Sequence, residues 1–120
     1  MTDIPLKVEI EKRDNVAIIT LAANFYTSNT MAQNLKASIN NLIAENIAYI
    51  IVNMKEVLSI DSEGLGTMSF GHKQCISKGG KFVICELNNR DVHEVFEIVN
   101  LDKIIPTYKT VDDALNNIKD

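Results

Sequence analysis

The stretch Asp61-Ser62-Glu63-Gly64-Leu65-Gly66 gathers residue types that chemistry uses: a hydroxyl between two carboxylates, then two glycines. It follows the apolar run Tyr49-Ile50-Ile51-Val52, and it precedes a segment with apolar residues at Leu65, Met68 and Ile76, a spacing that suits one side of a helix. A serine where a strand hands over to a helix meets unpaired backbone N–H groups and a partial positive charge, a natural seat for phosphate. The glycines let another backbone or a bulky anion come close. Ser62 is therefore the first candidate for a working residue. The plain alternative is that a Ser or Asp here is only the N-cap of the helix, worth about 1 kcal/mol.

Other chemistries find little support. The chain holds no P-loop, GxGxxG, CxxC pair or HExxH, and Asp61-Ser62-Glu63-Gly64 is not a GxSxG elbow. A serine hydrolase needs a base beside the hydroxyl, and only His72 and His93 are on offer. His72 lies ten residues along the same helix, about 15 Å away by helical rise. Both histidines are read as structural or surface residues. Asp91, Glu94 and Glu97 read as a solvated helix face, and Asp102 and Lys103 as loop residues. Cys75 and Cys85 read as reduced packing residues. A binding module is favoured over a catalyst, with no metal and no cofactor of its own.

The elements that must position Ser62 follow from the pattern of apolar residues. Leu6, Val8 and Ile10 alternate with Lys7, Glu9 and Glu11, as in a half-buried strand. Arg13-Asp14-Asn15 is a turn, and Val16 to Leu21 is a second strand, giving a hairpin. Ala22 to Thr30 is a polar connection in which Thr27, Ser28, Asn29 or Thr30 caps a helix. Met31, Leu35, Ile39, Leu42 and Ile43 mark the apolar face of that helix, about four turns long. After the Tyr49–Val52 strand and the serine loop comes a second helix, stopped at Lys78-Gly79-Gly80. Phe82 to Cys85 is a strand covered on at least one face. Asn88-Asn89 caps a helix with Val92, Val95, Phe96 and Val99 inward. Ile104-Ile105 reads as a short strand with Pro106 just beyond it. Thr110-Val111-Asp112-Asp113 is a capping box for a last helix with Val111, Ala114, Leu115 and Ile118 inward.

The order β-β-α-β-α-β-α-β-α makes residues 1–120 one α/β domain, with a mostly parallel sheet and helices mainly on one face. Bulk composition agrees: 120 residues, 46% apolar and 23% charged, is the make-up of an ordinary globular domain. A net charge of −4 and the absence of a basic stripe argue against direct nucleic-acid binding. No run approaches eighteen apolar residues, and the first fifteen have no apolar h-region, so no membrane is expected and the default location is the cytoplasm.

The serine loop and the order of elements together resemble the STAS domain, in the form of the anti-sigma-factor antagonists of bacterial partner-switching systems. The likeness runs over nearly the whole chain. Its most specific part is Asp61-Ser62-Glu63-Gly64-Leu65-Gly66, similar to the family's Asp-Ser-x-Gly-Leu-Gly loop. Lys78 to Cys85 is a second part. Val95 to Ile105, with the tail from Thr110 to Leu115, is a third.

The resemblance implies a mechanism. The serine after the Asp is phosphorylated by a partner that is both anti-sigma factor and serine kinase, with an ATPase fold of the histidine-kinase type. The unphosphorylated antagonist binds that partner, the phosphorylated form is released, and a PP2C-type phosphatase resets it. Ser62 would be the phosphate acceptor, Asp61, Gly64 and Gly66 would shape the loop, and all six residues from Asp61 to Gly66 would meet the partner. The antagonist would not be an enzyme, and ATP and metal would belong to its partners. Two positions depart from the family pattern. Ala23-Asn24-Phe25-Tyr26 stands where Gly-x-Leu-Asp is frequent, and Glu63 stands where Ser or Thr is common. A STAS scaffold or accessory subunit, and a small-ligand or nucleotide-binding domain, are the alternative readings.

Overall fold

A computed structural model describes residues 8–21 and 29–120, with side chains from residue 32 onward in the second segment. The turn at Asp14, whose φ is 56°, folds β1 (Val8–Arg13) antiparallel onto β2 (Val16–Leu21). Every later strand adds in chain order on the far side of β2: β3 (Tyr49–Asn53), β4 (Lys81–Cys85) and β5 (Thr107–Tyr108), all parallel. Right-handed crossovers that always step the same way put their helices on one face. So α1 (Asn29–Ala44), α2 (Ser62–Ser77) and α3 (Arg90–Ile98) share a face, and only α4 (Val111–Asn117) covers the other.

Period-two alternation in the strands builds two cores. Ala17, Ile19, Leu21, Ile50, Val52, Phe82 and Ile84 point to the three-helix side. Val16, Ile18, Ile51, Val83 and Cys85 point to α4, where Ala114 and Ile118 close over them. The central strands are thus apolar on both faces, which is why they read as unbroken runs.

Four expectations need correction or restriction. The last strand is not Ile104-Ile105. Leu101–Lys103 forms a single 3-10 turn whose carbonyl at Leu101 accepts from Ile104 and Ile105, and β5 begins only after Pro106. Pro106 sits before the strand rather than beyond it, with its carbonyl accepting from Ile84 N. In α2 the buried row is Gly64, Thr67, Met68, Gly71 and Cys75, while Leu65 is only half-buried and Ile76 is exposed. Small residues bring α2 down onto the sheet: a Cβ at Gly71 would lie 2.5 Å from the Phe82 ring. In α3, Val92 and Phe96 are buried, Val95 is half-buried, and Val99 turns out to solvent. In β1 the expected half-buried alternation is absent: only Val8 is half-buried, and Ile10 is exposed at the rim of an open cleft that it shares with Ser38, Asn41 and Leu42 of α1. Leu6, Ala23 to Tyr26, and the cap candidates Thr27 and Ser28 lie outside the described residues.

The helix ends are set by local chemistry. Both α1 and α2 stop in a left-handed residue, Asn46 (φ 65°) and Gly79 (φ 79°). Beyond each, paired N–H groups reach back: Asn46 to Ile43 and Ile47 to Leu42, then Gly79 to Ile76 and Gly80 to Cys75. Asn89 caps α3 by accepting from Val92 N, and Thr110 caps α4 by accepting from Asp113 N.

Candidate functional site: the loop entering α2

The loop between β3 and α2 is pinned at its base. Asn53 Oδ1 accepts from Lys55 N at 2.9 Å, Met54 N donates to Cys85 O at 3.0 Å, and the Met54 and Val57 side chains are buried in the main core. Leu58 then emerges to solvent, and Ile60 packs back against the core before the helix starts. The loop therefore leaves the carboxyl end of the parallel sheet on a fixed course, which positions the next residues.

Asp61, not Ser62, caps the helix. Its backbone is extended, its Oδ1 accepts from Gly64 N at 3.0 Å, and its carbonyl accepts the first helical bond from Leu65 N. Ser62 is the first residue of α2 and is exposed, and its hydroxyl makes no hydrogen bond among the described residues. That separates the two readings of the serine: the capping role belongs to its neighbour. Asp61 also takes up the Gly64 N–H, so that part of the helix terminus is not open to an anion.

The two glycines divide. Gly64 is buried within the chain. Gly66 is exposed, and a Cβ there would meet nothing within 4 Å. Gly66→Ala should therefore stabilise the fold by about 0.5–1 kcal/mol, the helix-interior cost of glycine. Thermal melting of the two proteins checks this, and a lower Tm would mean that the open space is illusory.

Behind the loop, Thr67 Oγ donates to Glu63 O at 3.0 Å, and Lys36 Nζ lies 4.6 Å from the Phe70 ring centre, tying α2 to α1. Neither histidine forms a bond to this loop. His72 is half-buried along α2, and the exposed His93 faces Glu97 at 3.5 Å within α3. The thiols lie on opposite faces of the sheet, Cys75 on the inner side of α2 and Cys85 on β4 beneath α4, so they cannot pair. Burial pushes both up to about 12, which keeps them neutral. Among the described residues no three His, Cys, Asp or Glu side chains gather as a metal site, and no helix is long and apolar enough to cross a membrane. The exposed Leu58, four residues before Ser62, was not anticipated from the sequence. Its signal was a second apolar residue directly after Val57, where only one of the two can face the core.

Comparison with known proteins agrees with this geometry. The profile of the STAS domain family matches residues 7–114. The anti-sigma F factor antagonist of Paenibacillus polymyxa is 28% identical over 116 residues, covering 95% of this chain and 96% of that protein. A crystal structure from Thermotoga maritima, described as an anti-sigma factor antagonist, superposes with a TM-score of 0.85 at 24% identity, over 94% of this chain and 95% of that one. The unphosphorylated form of the Bacillus antagonist SpoIIAA gives a TM-score of 0.74 at 15% identity, over 94% and 98%. At such identities the structures speak for the fold alone, but the sequence profile covers almost the same span as the sheet and its four helices. The chain belongs to the STAS domain family.

Proposed function

We propose that this chain is an anti-sigma-factor antagonist that binds an anti-sigma factor with serine-kinase activity, and that phosphorylation of Ser62 switches the binding off. The observation that carries the proposal is that Ser62 is exposed, with no hydroxyl hydrogen bond among the described residues, while Asp61 does the capping. Its hydroxyl is open to a kinase, and modifying it removes no bond the helix needs.

A phosphoserine adds roughly −1.5 to −2 charges between Asp61 and Glu63, and it changes the surface without a rearrangement of the core. A partner that had packed over Leu58 and the start of α2 would then have to bury that charge unpaired, at a cost of several kcal/mol. Support from relatives is of the same kind: the Paenibacillus polymyxa protein is named an anti-sigma F factor antagonist, and SpoIIAA is known in both unphosphorylated and phosphorylated forms. In this reading the protein acts in the cytoplasm as a regulator rather than an enzyme. The partner kinase, of histidine-kinase-like ATPase fold, supplies ATP and metal, and a PP2C-type phosphatase restores the serine.

The test is direct. With Mg-ATP and a cognate kinase, the wild-type chain should gain one phosphate by intact mass, mapped by peptide sequencing to Ser62, and Ser62→Ala should gain none. Undiminished labelling of Ser62→Ala sinks the proposal.

A further inference from the structure

The loop that carries Ser62 turns one large apolar side chain out to water on a backbone fixed from both sides. Before Leu58, Met54 N donates to Cys85 O at 3.0 Å, Val57 N donates to Met54 O at 3.0 Å, and both side chains are buried. After it, Ile60 packs against the core. Leu58 itself is 54% exposed. Its neighbours Lys55, Glu56, Ser59 and Asp61 are exposed and polar, so an apolar centre stands inside a polar surround, the make-up of an interface anchor and its rim.

A single exposed leucine is ordinary on a protein surface, and what distinguishes this one is its distance from the serine. Four peptide units separate Leu58 from Ser62, about 14 Å at full extension. A stable interface covers about 800 Å² of each partner, a patch of about 16 Å radius. A partner centred on Ser62 therefore covers Leu58 whatever its orientation. Ile76 is exposed on the same helix as Ser62, but fourteen residues along it, about 21 Å by helical rise and outside that patch. Covering Leu58 needs no reordering of the loop, because the backbone is already held, so little of the gain is spent on conformational entropy.

We infer that Leu58 is the apolar anchor by which the anti-sigma-factor kinase holds this chain, seated in an apolar pocket of that partner. The inference rests on the partner proposed above and divides the labour at its site: Leu58 sets how tightly the partner holds, and Ser62 sets whether it holds. An anchor that is buried equally before and during phosphoryl transfer is uniform binding, which changes KM and leaves kcat alone.

The experiment is steady-state phosphorylation of the full chain by a cognate kinase with Mg-ATP, beside titration of the same kinase with ADP present. Leu58→Ala should raise both KM and Kd by about tenfold, with kcat unchanged and Tm within about 3 °C of wild type. Leu58→Met, apolar and of similar volume, should bind within about threefold of wild type, whereas Leu58→Asn, similar in size but polar, should fail as Leu58→Ala does. Unchanged KM and Kd in Leu58→Ala overturn the inference while Ser62 labelling leaves the phosphoswitch standing. A fall in kcat alone also overturns it, and makes Leu58 a positioning residue for the serine. Equal binding by Leu58→Asn and Leu58→Met would show that no apolar pocket receives the side chain. Wild-type protein that no such kinase binds or labels removes the proposed function and this inference together.

Discussion

Ser62→Asp should lose most of its affinity for the partner while keeping its fold. At the first position of α2 a carboxylate is favoured by the helix dipole and opposed by Asp61 and Glu63 on either side, so stability should move by no more than about 1 kcal/mol. Ser62 is exposed, and its hydroxyl makes no hydrogen bond among the described residues. At a desolvated interface the same carboxylate has no reserved partner, and the loss is on the order of 2–5 kcal/mol, roughly thirtyfold or more in Kd. Chemical denaturation and partner titration on the same samples separate the two effects. Unchanged affinity would mean that the partner brings a cation to a loop that already presents two acids, and the charge switch would fail. A large loss of stability would instead make the hydroxyl part of the fold.

Gly80→Ala should be the most damaging small change in the chain. A Cβ at that position would fall 1.9 Å from the Ala48 carbonyl oxygen, which also accepts from Lys81 N at 2.9 Å. The obstacle is backbone on both sides, where β3 and β4 begin, and it cannot swing away as a side chain could. Overpacking of this kind costs about 3 kcal/mol, which for a domain of this size lowers Tm by about 10 °C or more. Thermal unfolding followed by circular dichroism measures it. A wild-type Tm would show that the strand starts can part without loss. The contrast with Gly66, where the same added methyl group meets open space and should stabilise, makes the pair a check on the packing.

Much of this architecture was legible because the residues that set it act locally. Asp14 and Gly79 turn the chain where only a few residue types do so cheaply. Asn89 and Thr110 cap with their own side chains, and the runs Val16–Leu21 and Phe82–Cys85 announce strands buried on both sides. The errors came where a local pattern is overruled by a distant contact. Ile104-Ile105 has the composition of a strand, but Leu101 and Ile105 are buried by a tight turn that leaves no extended backbone for pairing. In α2 Met68 was read correctly, but Leu65 and Ile76 misled, because small residues, Gly64, Gly71 and Cys75, complete the buried row; the clue was their spacing of seven and four. Ser62 itself was legible as a position. Which of two adjacent residues caps the helix could not be read, since Asp and Ser are equally good caps.

The unequal cover of the sheet gives the molecule two internal clocks. One side lies under three helices, with Cys75 on the inner side of one of them; the other lies under the seven-residue α4 alone, with Cys85 beneath it. A thiol reagent reaches each cysteine only when its own roof lifts. Lifting α4 breaks fewer contacts than parting the helical layer, so Cys85 should report fleeting local opening and Cys75 something closer to complete unfolding. The chain thus carries a built-in pair of reporters, on either side of one sheet, for asking whether a charge placed at Ser62 is felt beyond the surface.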